Sequence, residues 1–331
     1  MKEPSNSRQP ARTPPILSQV SAVLLFFLIV LTGYSQPQNP RQSPPRLNNQ
    51  NDNQDTIKIN VDLVVLHATV QNSDLTPVSG LGKEDFQVYE DGVLQEIESF
   101  SHEDIPVTVG LVIDNSGSMR PKRAEVITAA LAFARASNSK DKLFVVNFNE
   151  HVSFGLPENI QFTNKTAQLE AALSKAAPDG KTALYDAVAA ALDHLKKGNR
   201  DKQALIVVSD GADNASQHKL AQILALARQS DAIIYTIGIY DKDDPDRNPG
   251  MLKRLAKDTG GAAFFPESVT DIVQICERIA RDLRNQYTIT YIPTNINYDG
   301  KYRDIQVKAI APDRGRLRVH ARAGYYAPLK P

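Results

Sequence analysis

The sequence predicts an α/β protein: a doubly wound, mostly parallel sheet, with a flanking β-sandwich built from N- and C-terminal strands. Three observations carry this. From Pro106 to Asn285, near-continuous apolar strands alternate with amphipathic helices, and strands that are apolar on both faces belong to a sheet covered by helices on both sides. Before and after that stretch the pattern changes to a period of two, the mark of half-buried strands. Each flank alone has few strands and open edges, so one sandwich shared by both, with the α/β domain inserted between them, is the economical arrangement.

Taken in chain order, residues 1–35 read as a targeting segment. Arg8 and Arg12 precede an uncharged apolar run from Val20 to Leu31, and Gly33-Tyr34-Ser35 offers small residues for a signal peptidase, with cleavage before Gln36. The run is short for a membrane span, which needs about 20 apolar residues. A cleaved signal is therefore preferred to a single N-terminal anchor, which becomes possible if Ile16 to Tyr34 are counted in. Either way the folded part is expected to be exported: periplasmic, secreted or in the cell envelope. Residues 36–55 are Gln, Asn, Pro and Arg with almost nothing apolar, a composition expected to form a disordered linker.

Residues 56–104 supply the N-terminal strands of the sandwich. Ile57, Ile59, Val61 and Leu63 alternate with Lys58, Asn60 and Asp62, and Val65–Gln71 continues the strand or begins another. Phe86–Tyr89 and Val93–Phe100 flank Glu90-Asp91-Gly92, a hairpin signal. Residues 105–286 form the α/β domain. Its strands are expected at Val107–Ile113, Leu143–Phe148, Leu205–Val208 and Ile233–Ile239, with a short antiparallel edge at His151–Gly155. Its helices are expected near Arg123–Ser137, Ala167–Ala177, Ala183–Lys197, Gln217–Gln229, Met251–Lys257 and Thr270–Asn285. Residues 287–331 return to strands at Tyr287–Ile292, Tyr302–Ile310 and Leu317–Ala321, with turns at Asp299-Gly300 and Asp313-Arg314-Gly315.

Composition narrows the function. The 331 residues hold 38 basic and 38 acidic side chains, so no bulk attraction to nucleic acid is expected. There is no Trp, and aromatic residues make up 7%, which argues against an aromatic sugar or base platform. Cys276 is the single cysteine, so no intrachain disulfide can form. Its neighbours Ile272, Ile275 and Ile279 at helical spacing mark it as a small core hydrophobe.

The chemistry concentrates in three loops. The strand ending at Ile113 runs into Asp114-Asn115-Ser116-Gly117-Ser118, one carboxylate and two hydroxyls in a tight loop. Gly180-Lys181-Thr182 opens a helix, and Leu205–Val208 runs into Ser209-Asp210-Gly211. Hard cations such as Mg²⁺ take oxygen ligands in near-octahedral geometry. Asp-x-Ser-x-Ser by itself is often a polar turn or helix cap. The three loops together, in this order and at the ends of these elements, resemble the metal-ion-dependent adhesion site of a von Willebrand factor type A domain. The resemblance spans roughly residues 105–286. It implies a Rossmann-like fold in which the strands bearing Asp114 and Asp210 are neighbours at the point where strand order reverses. It further implies that Asp114, Ser116, Ser118, Thr182 and Asp210 hold Mg²⁺ (or Mn²⁺ or Ca²⁺), directly or through water, and that a Glu or Asp carboxylate of a protein partner completes the coordination. The whole layout, including Leu81–Phe100 and the tail Arg322–Tyr326, also resembles exported bacterial proteins with a VWFA-related domain. Acidic residues that serve an additional cation in integrin-type β subunits are replaced here by Met119, Arg120, Pro121 and Lys122.

Other readings have less support. A phosphate loop needs a Gly five residues before Gly180, where Lys175 stands. The histidines, His67, His102, His151, His194, His218 and His320, show no metal-ligand spacing, and no Gly-x-Ser-x-Gly elbow exists. A hydrolase using His151 or His218 with a nearby Ser has nothing further behind it. Asp241–Asp246 lacks the Gly and distant Glu of a calcium loop and reads as a solvated acidic loop. Arg120, Lys122, Arg123 and Lys181 border the metal loops and are candidates to steer an acidic partner. The sequence therefore points to an exported, non-enzymatic, metal-dependent binding module, with no nucleic acid partner and no membrane contact beyond a possible anchor. A structural scaffold in an envelope assembly, with a silent metal site, is the alternative.

Overall fold

The computed structural model describes residues 63–240, 248–268 and 270–329. The expected targeting segment, the linker, the strand at Ile57–Asp62 and the acidic loop Asp241–Asp246 lie outside the described residues.

A six-stranded sheet forms the centre of the α/β domain. Its strands are β5 (Val107–Asp114), β6 (Lys142–Phe148), β7 (Val152–Phe154), β8 (Lys202–Ser209), β9 (Ile233–Gly238) and β10 (Ala263–Phe264), in the order β10-β9-β8-β5-β6-β7. All neighbours are parallel except β7, which returns antiparallel along the β6 edge. Every residue of β5 is buried, as the apolar run requires when helices cover both faces. Strand β5 packs so closely that a side chain on Gly110 would meet Phe144 and Leu205 within 2.6 Å. Helices α1 (Arg123–Ala136), α2 (Thr166–Ser174), α3 (Leu184–Leu195), α4 (Leu220–Gln229), α5 (Pro249–Thr259) and α6 (Asp271–Arg284) cover the sheet. Their apolar faces, including Phe133, Leu173, Val188, Ile223, Leu252 and Ile279, join one core with the strands.

The chain runs from β5 outward to β6, then back across to β8 and outward the other way. Strand order thus reverses between β5 and β8, where ligands of such sheets bind, beyond the carboxyl ends of the strands. The register sets Ile113 beside Val208 and Asp114 beside Phe148, so the Asp114 and Asp210 loops emerge together at that crevice.

The flanks form two four-stranded antiparallel sheets. The first has the order β13 (Arg318–His320), β1 (Val64–Gln71), β11 (Tyr287–Tyr291), β4 (Ile97–Ser101); the second has β14 (Gly324–Tyr326), β12 (Tyr302–Ala309), β2 (Phe86–Glu90), β3 (Val93–Gln95). Each mixes strands from both sides of the α/β domain. One apolar cluster fills the space between them, with Leu66, Val70, Tyr287 and Ile289 from the first sheet and Phe86, Val88 and Ile305 from the second.

Several elements differ from the sequence expectation. The expected strand Val93–Phe100 is broken at Glu96: β3 stays beside β2 while β4 crosses to β11 in the other sheet. Gln95 and Ile97, on either side of the break, are both buried, so the switch keeps each end packed in its own sheet. Helix α4 begins at Leu220 rather than Gln217, because the amides of Gln217 and His218 donate to the Asp186 carboxylate and hold that segment out of the helix. The strands β10 and β14 are too short for a period to register.

Candidate metal centre

The site is built from the three loops at the crevice. Asp114 ends β5, and its Oδ1 accepts the Ser116 amide at 2.8 Å, folding the loop back on itself. Its Oδ2 accepts the Ser209 hydroxyl from β8 at 2.6 Å. Ser116 and Ser118 place their hydroxyls 3.1 Å apart, and the Ser118 hydroxyl donates to Asp210 Oδ2. Asp210 is turned into the site by Gly211, whose φ of +85° is open to glycine without a steric cost.

The third loop is fixed from below. The Gly117 amide donates to the Gly180 carbonyl at 3.1 Å, and the Asp179 amide donates to the Asn115 carbonyl at 2.9 Å. Gly180 has a φ of +77° and would crowd the Glu150 carboxylate if it carried a side chain. Thr182 is buried, its amide donates to Asn214 Oδ1, and its carbonyl accepts the Asn214 and Ala215 amides. The structure therefore brings the Asp114–Ser118, Gly180–Thr182 and Asp210 loops to one crevice.

Asp114, Ser116, Thr182 and Asp210 are all at most 3% exposed. Burial pushes the Asp114 carboxyl up to about 6, and the Asp210 charge adds to the rise; hydrogen bonds from Ser116 and Ser209 partly oppose it. Hydroxyls and amides donate to the two buried carboxylates, and a cation there would relieve their negative charge. An all-oxygen set of carboxylates and hydroxyls suits a hard divalent ion rather than a soft one. The described residues contain no cluster of three or more His, Cys, Asp or Glu side chains arranged as a metal site; this site has two carboxylates and makes up its set with hydroxyls.

Residues that sequence reasoning passed over complete the site. Ser209 orients Asp114. Asn115 is buried and donates from Nδ2 to the Ile113 carbonyl and to Asn147 Oδ1, tying the loop to β6. Asn214 pins Thr182. Ser209 and Asn115 each sit beside a recognised ligand candidate in sequence, which was the available signal; nothing local marks Asn214.

The four basic residues separate into two kinds. Arg120 is exposed, donates to the Pro178 carbonyl and lies 3.7 Å from Asp179; Lys181 is also exposed. Lys122 and Arg123 correct the steering expectation. Lys122 is 8% exposed, with Nζ donating to the Ile239 carbonyl at 3.2 Å. Arg123 donates to Asn115 Oδ1 and, at 3.1 Å, to the Leu173 carbonyl. These two cations brace the loop from inside because the turn into α1 points them at Ile239, Asn115 and Leu173.

The histidines are dispersed. His218 Nδ1 lies 2.6 Å from Asp186 Oδ1, while the nearby Ser216 hydroxyl donates to Asp213. Among the described residues no hydroxyl is bonded to His218 Nε2. His194 bonds the Gln161 carbonyl amid Phe144, Phe154 and Phe162. Cys276 is buried, and its thiol is pushed up to about 12 by burial, as expected of an inert core residue.

A doubly wound sheet with carboxylates and hydroxyls gathered from three loops at its switch point defines a class of α/β binding domain. The chain belongs to the von Willebrand factor type A domain family, whose profile matches residues 108–278, just over half of its length. Several solved structures are similar to this chain. A von Willebrand factor type A protein from Catenulispora acidiphila is 15% identical, covers 74% of this chain and 74% of its own, and superposes with a TM-score of 0.50. An aerotolerance-related membrane protein from Bacteroides fragilis, solved with multiple mutations to serine, is 14% identical over 54% of this chain and 98% of its own, with a TM-score of 0.44. The von Willebrand factor domain of a type V pili tip protein from Porphyromonas gingivalis is 14% identical over 54% of this chain and 95% of its own, with a TM-score of 0.45. No curated protein matches the chain at a significant level.

Proposed function

We propose that this chain is an exported, metal-dependent protein-binding module, in which Asp114, Ser116, Ser118, Thr182 and Asp210 hold a divalent cation, Mg²⁺ by preference, that captures a partner's Glu or Asp carboxylate. The observation that carries the reading is the convergence on one crevice of two buried carboxylates, the Ser116 and Ser118 hydroxyls and the loop of buried Thr182. Bound there, the cation supplies a positive centre with a coordination position open to an outside oxygen.

The protein's own part is to prepare that centre. Ser209 and the Ser116 amide fix the rotamer of Asp114; Asn115, Arg123 and Lys122 hold its loop; Asn214 holds that of Thr182. Arg120 and Lys181 are the rim cations left to attract an acidic partner, with Asp179 and Glu150 beside them to moderate the pull. Export rests on Arg8, Arg12 and the Val20–Leu31 run; among the described residues no helix is long and apolar enough to cross a membrane. The module is read as non-enzymatic, with the His218 ring held by the Asp186 carboxylate.

Immobilised protein exposed to envelope extract in Mg²⁺ and then in chelator tests the reading. Proteins retained in Mg²⁺, released by chelator and absent on Asp114→Ala support it. The same proteins retained throughout would favour the scaffold role.

A further inference from the structure

A second feature lies on the opposite side of the α/β domain from the β6–β7 edge. Strand β10 ends the six-stranded sheet, and β13 ends the first sandwich sheet. A cavity of about 520 Å³ opens between them, lined by the consecutive residues Ala262–Phe264 on one side and Arg318–His320 on the other. Successive side chains of a strand point to opposite faces, so a cavity that meets three in a row meets the strand at its edge. Each of the two is the end strand of its sheet, and an end strand leaves one row of its backbone donors and acceptors outside the ladder.

The walls are basic. Arg278 of α6 reaches over the Phe264 ring at 5.3 Å and donates to Gln71 Oε1 at 3.2 Å, while its buried Nε makes no hydrogen bond among the described residues. Arg318 is exposed at the mouth. Asp282, 3.9 Å from Arg278, is 1% exposed and sits behind it, bonded to Gln71 Nε2. The His320 imidazole is held below its usual range by burial and by Arg278 and Arg318, so the two guanidinium groups set the sign of the field inside the cavity.

We propose that this cleft is a second binding site, which takes an extended acidic segment of a partner protein by strand addition along the β10 or β13 edge. Main-chain hydrogen bonds would give the affinity and the arginines the preference for Glu or Asp side chains. The cavity shares no residue with the metal crevice, so binding here is independent of the metal and of the proposed function.

The probe is a short fluorescein-labelled peptide alternating glutamate and valine, titrated against the full chain and followed by anisotropy. Three controls accompany it: the same peptide with lysine for glutamate, an N-methylated backbone version, and free glutamate as competitor. The acidic peptide is expected to bind equally in Mg²⁺, in chelator and with Asp114→Ala. Arg318→Glu should weaken it about tenfold while Arg318→Lys retains binding, both with an unchanged melting temperature. No binding, equal binding of the lysine or N-methylated peptide, or no loss in a folded Arg318→Glu variant would overturn the proposal. Full displacement by free glutamate would overturn it in favour of a small-anion pocket.

Discussion

Ser209 donates its hydroxyl to Asp114 Oδ2 at 2.6 Å, across 95 positions of sequence. That bond and the Ser116 amide on Oδ1 hold Asp114 in one orientation beside Asp210, although burial and the like charge both disfavour the ionised form. The orientation is therefore maintained at a cost in the metal-free protein, a cost that disappears if Asp114 loses its charge.

Asp114→Asn should accordingly be more stable than wild type in chelator at pH 7. The folded carboxyl is raised from 3.8 to about 6, so its penalty is absent at low pH, grows as pH rises through that interval and is complete above about 6. Removing it should add about 1–3 kcal/mol, because the amide oxygen still accepts the Ser116 N–H and the amide nitrogen can donate to Ser209. Chemical denaturation in chelator checks this. A variant less stable than wild type at pH 7 would show that the charge pair does not strain the empty crevice.

The sandwich has its own polar tie. Glu90 of the second sheet is 2% exposed, and its Oε2 accepts the hydroxyls of Tyr291 from the first sheet at 2.7 Å and Tyr325 at 3.0 Å. Burial and Glu90 push the Tyr291 hydroxyl up, which keeps it a donor. Tyr291→Phe should cost about 1.5–3 kcal/mol, the range for a hydrogen bond to a charged group. In urea melts the double variant Tyr291→Phe, Glu90→Gln should lose less than the sum of the two single changes; strict additivity would mean the bond contributes nothing.

Strand β11 lies between β1 and β4, and β12 lies beside β2. Truncation after Asn285 should thus leave β1, β2 and β4 with open edges and an uncovered apolar face. Limited proteolysis with mass spectrometry should find cleavage within residues 64–101. Resistance there would show that the N-terminal strands fold without the C-terminal ones.

At the other end of the α/β sheet, Lys202 is 1% exposed and donates to the Leu283 carbonyl at the end of α6. Burial lowers its ammonium from 10.5 to about 8, against the pull of Asp104 and Asp141. Between those values the unfolded chain holds a proton that the folded chain has released, so this group adds stability as pH rises from 8 to 10.5. Subtracting the pH–stability profile of Lys202→Met from that of wild type should leave that rise. Parallel profiles would contradict it.

The legible parts of this fold were those fixed locally. Val107–Ile113 is apolar at nearly every position, so its burial on both faces could be read directly, and the loop after it displayed its candidate oxygen ligands. What the sequence concealed depends on tertiary partners. Lys122 and Arg123 look like rim cations until the turn into α1 carries them toward Ile239 and Asn115. The crossing at Glu96 is invisible in an alternation that continues through it. Helix α4 is shortened by Asp186, more than thirty positions away. Asn214 gains its role by meeting Thr182.

The measurement that bears most directly on the central claim is titration of the purified chain with Mg²⁺ by calorimetry, paired with thermal melts of wild type and Asp114→Ala. Wild type is expected to show a saturable site and a melting temperature that rises with Mg²⁺ and falls back in chelator, and Asp114→Ala, still melting cooperatively, neither response. A wild-type chain that takes up none of Mg²⁺, Mn²⁺ or Ca²⁺, or a folded Asp114→Ala that binds as tightly as wild type, would contradict it.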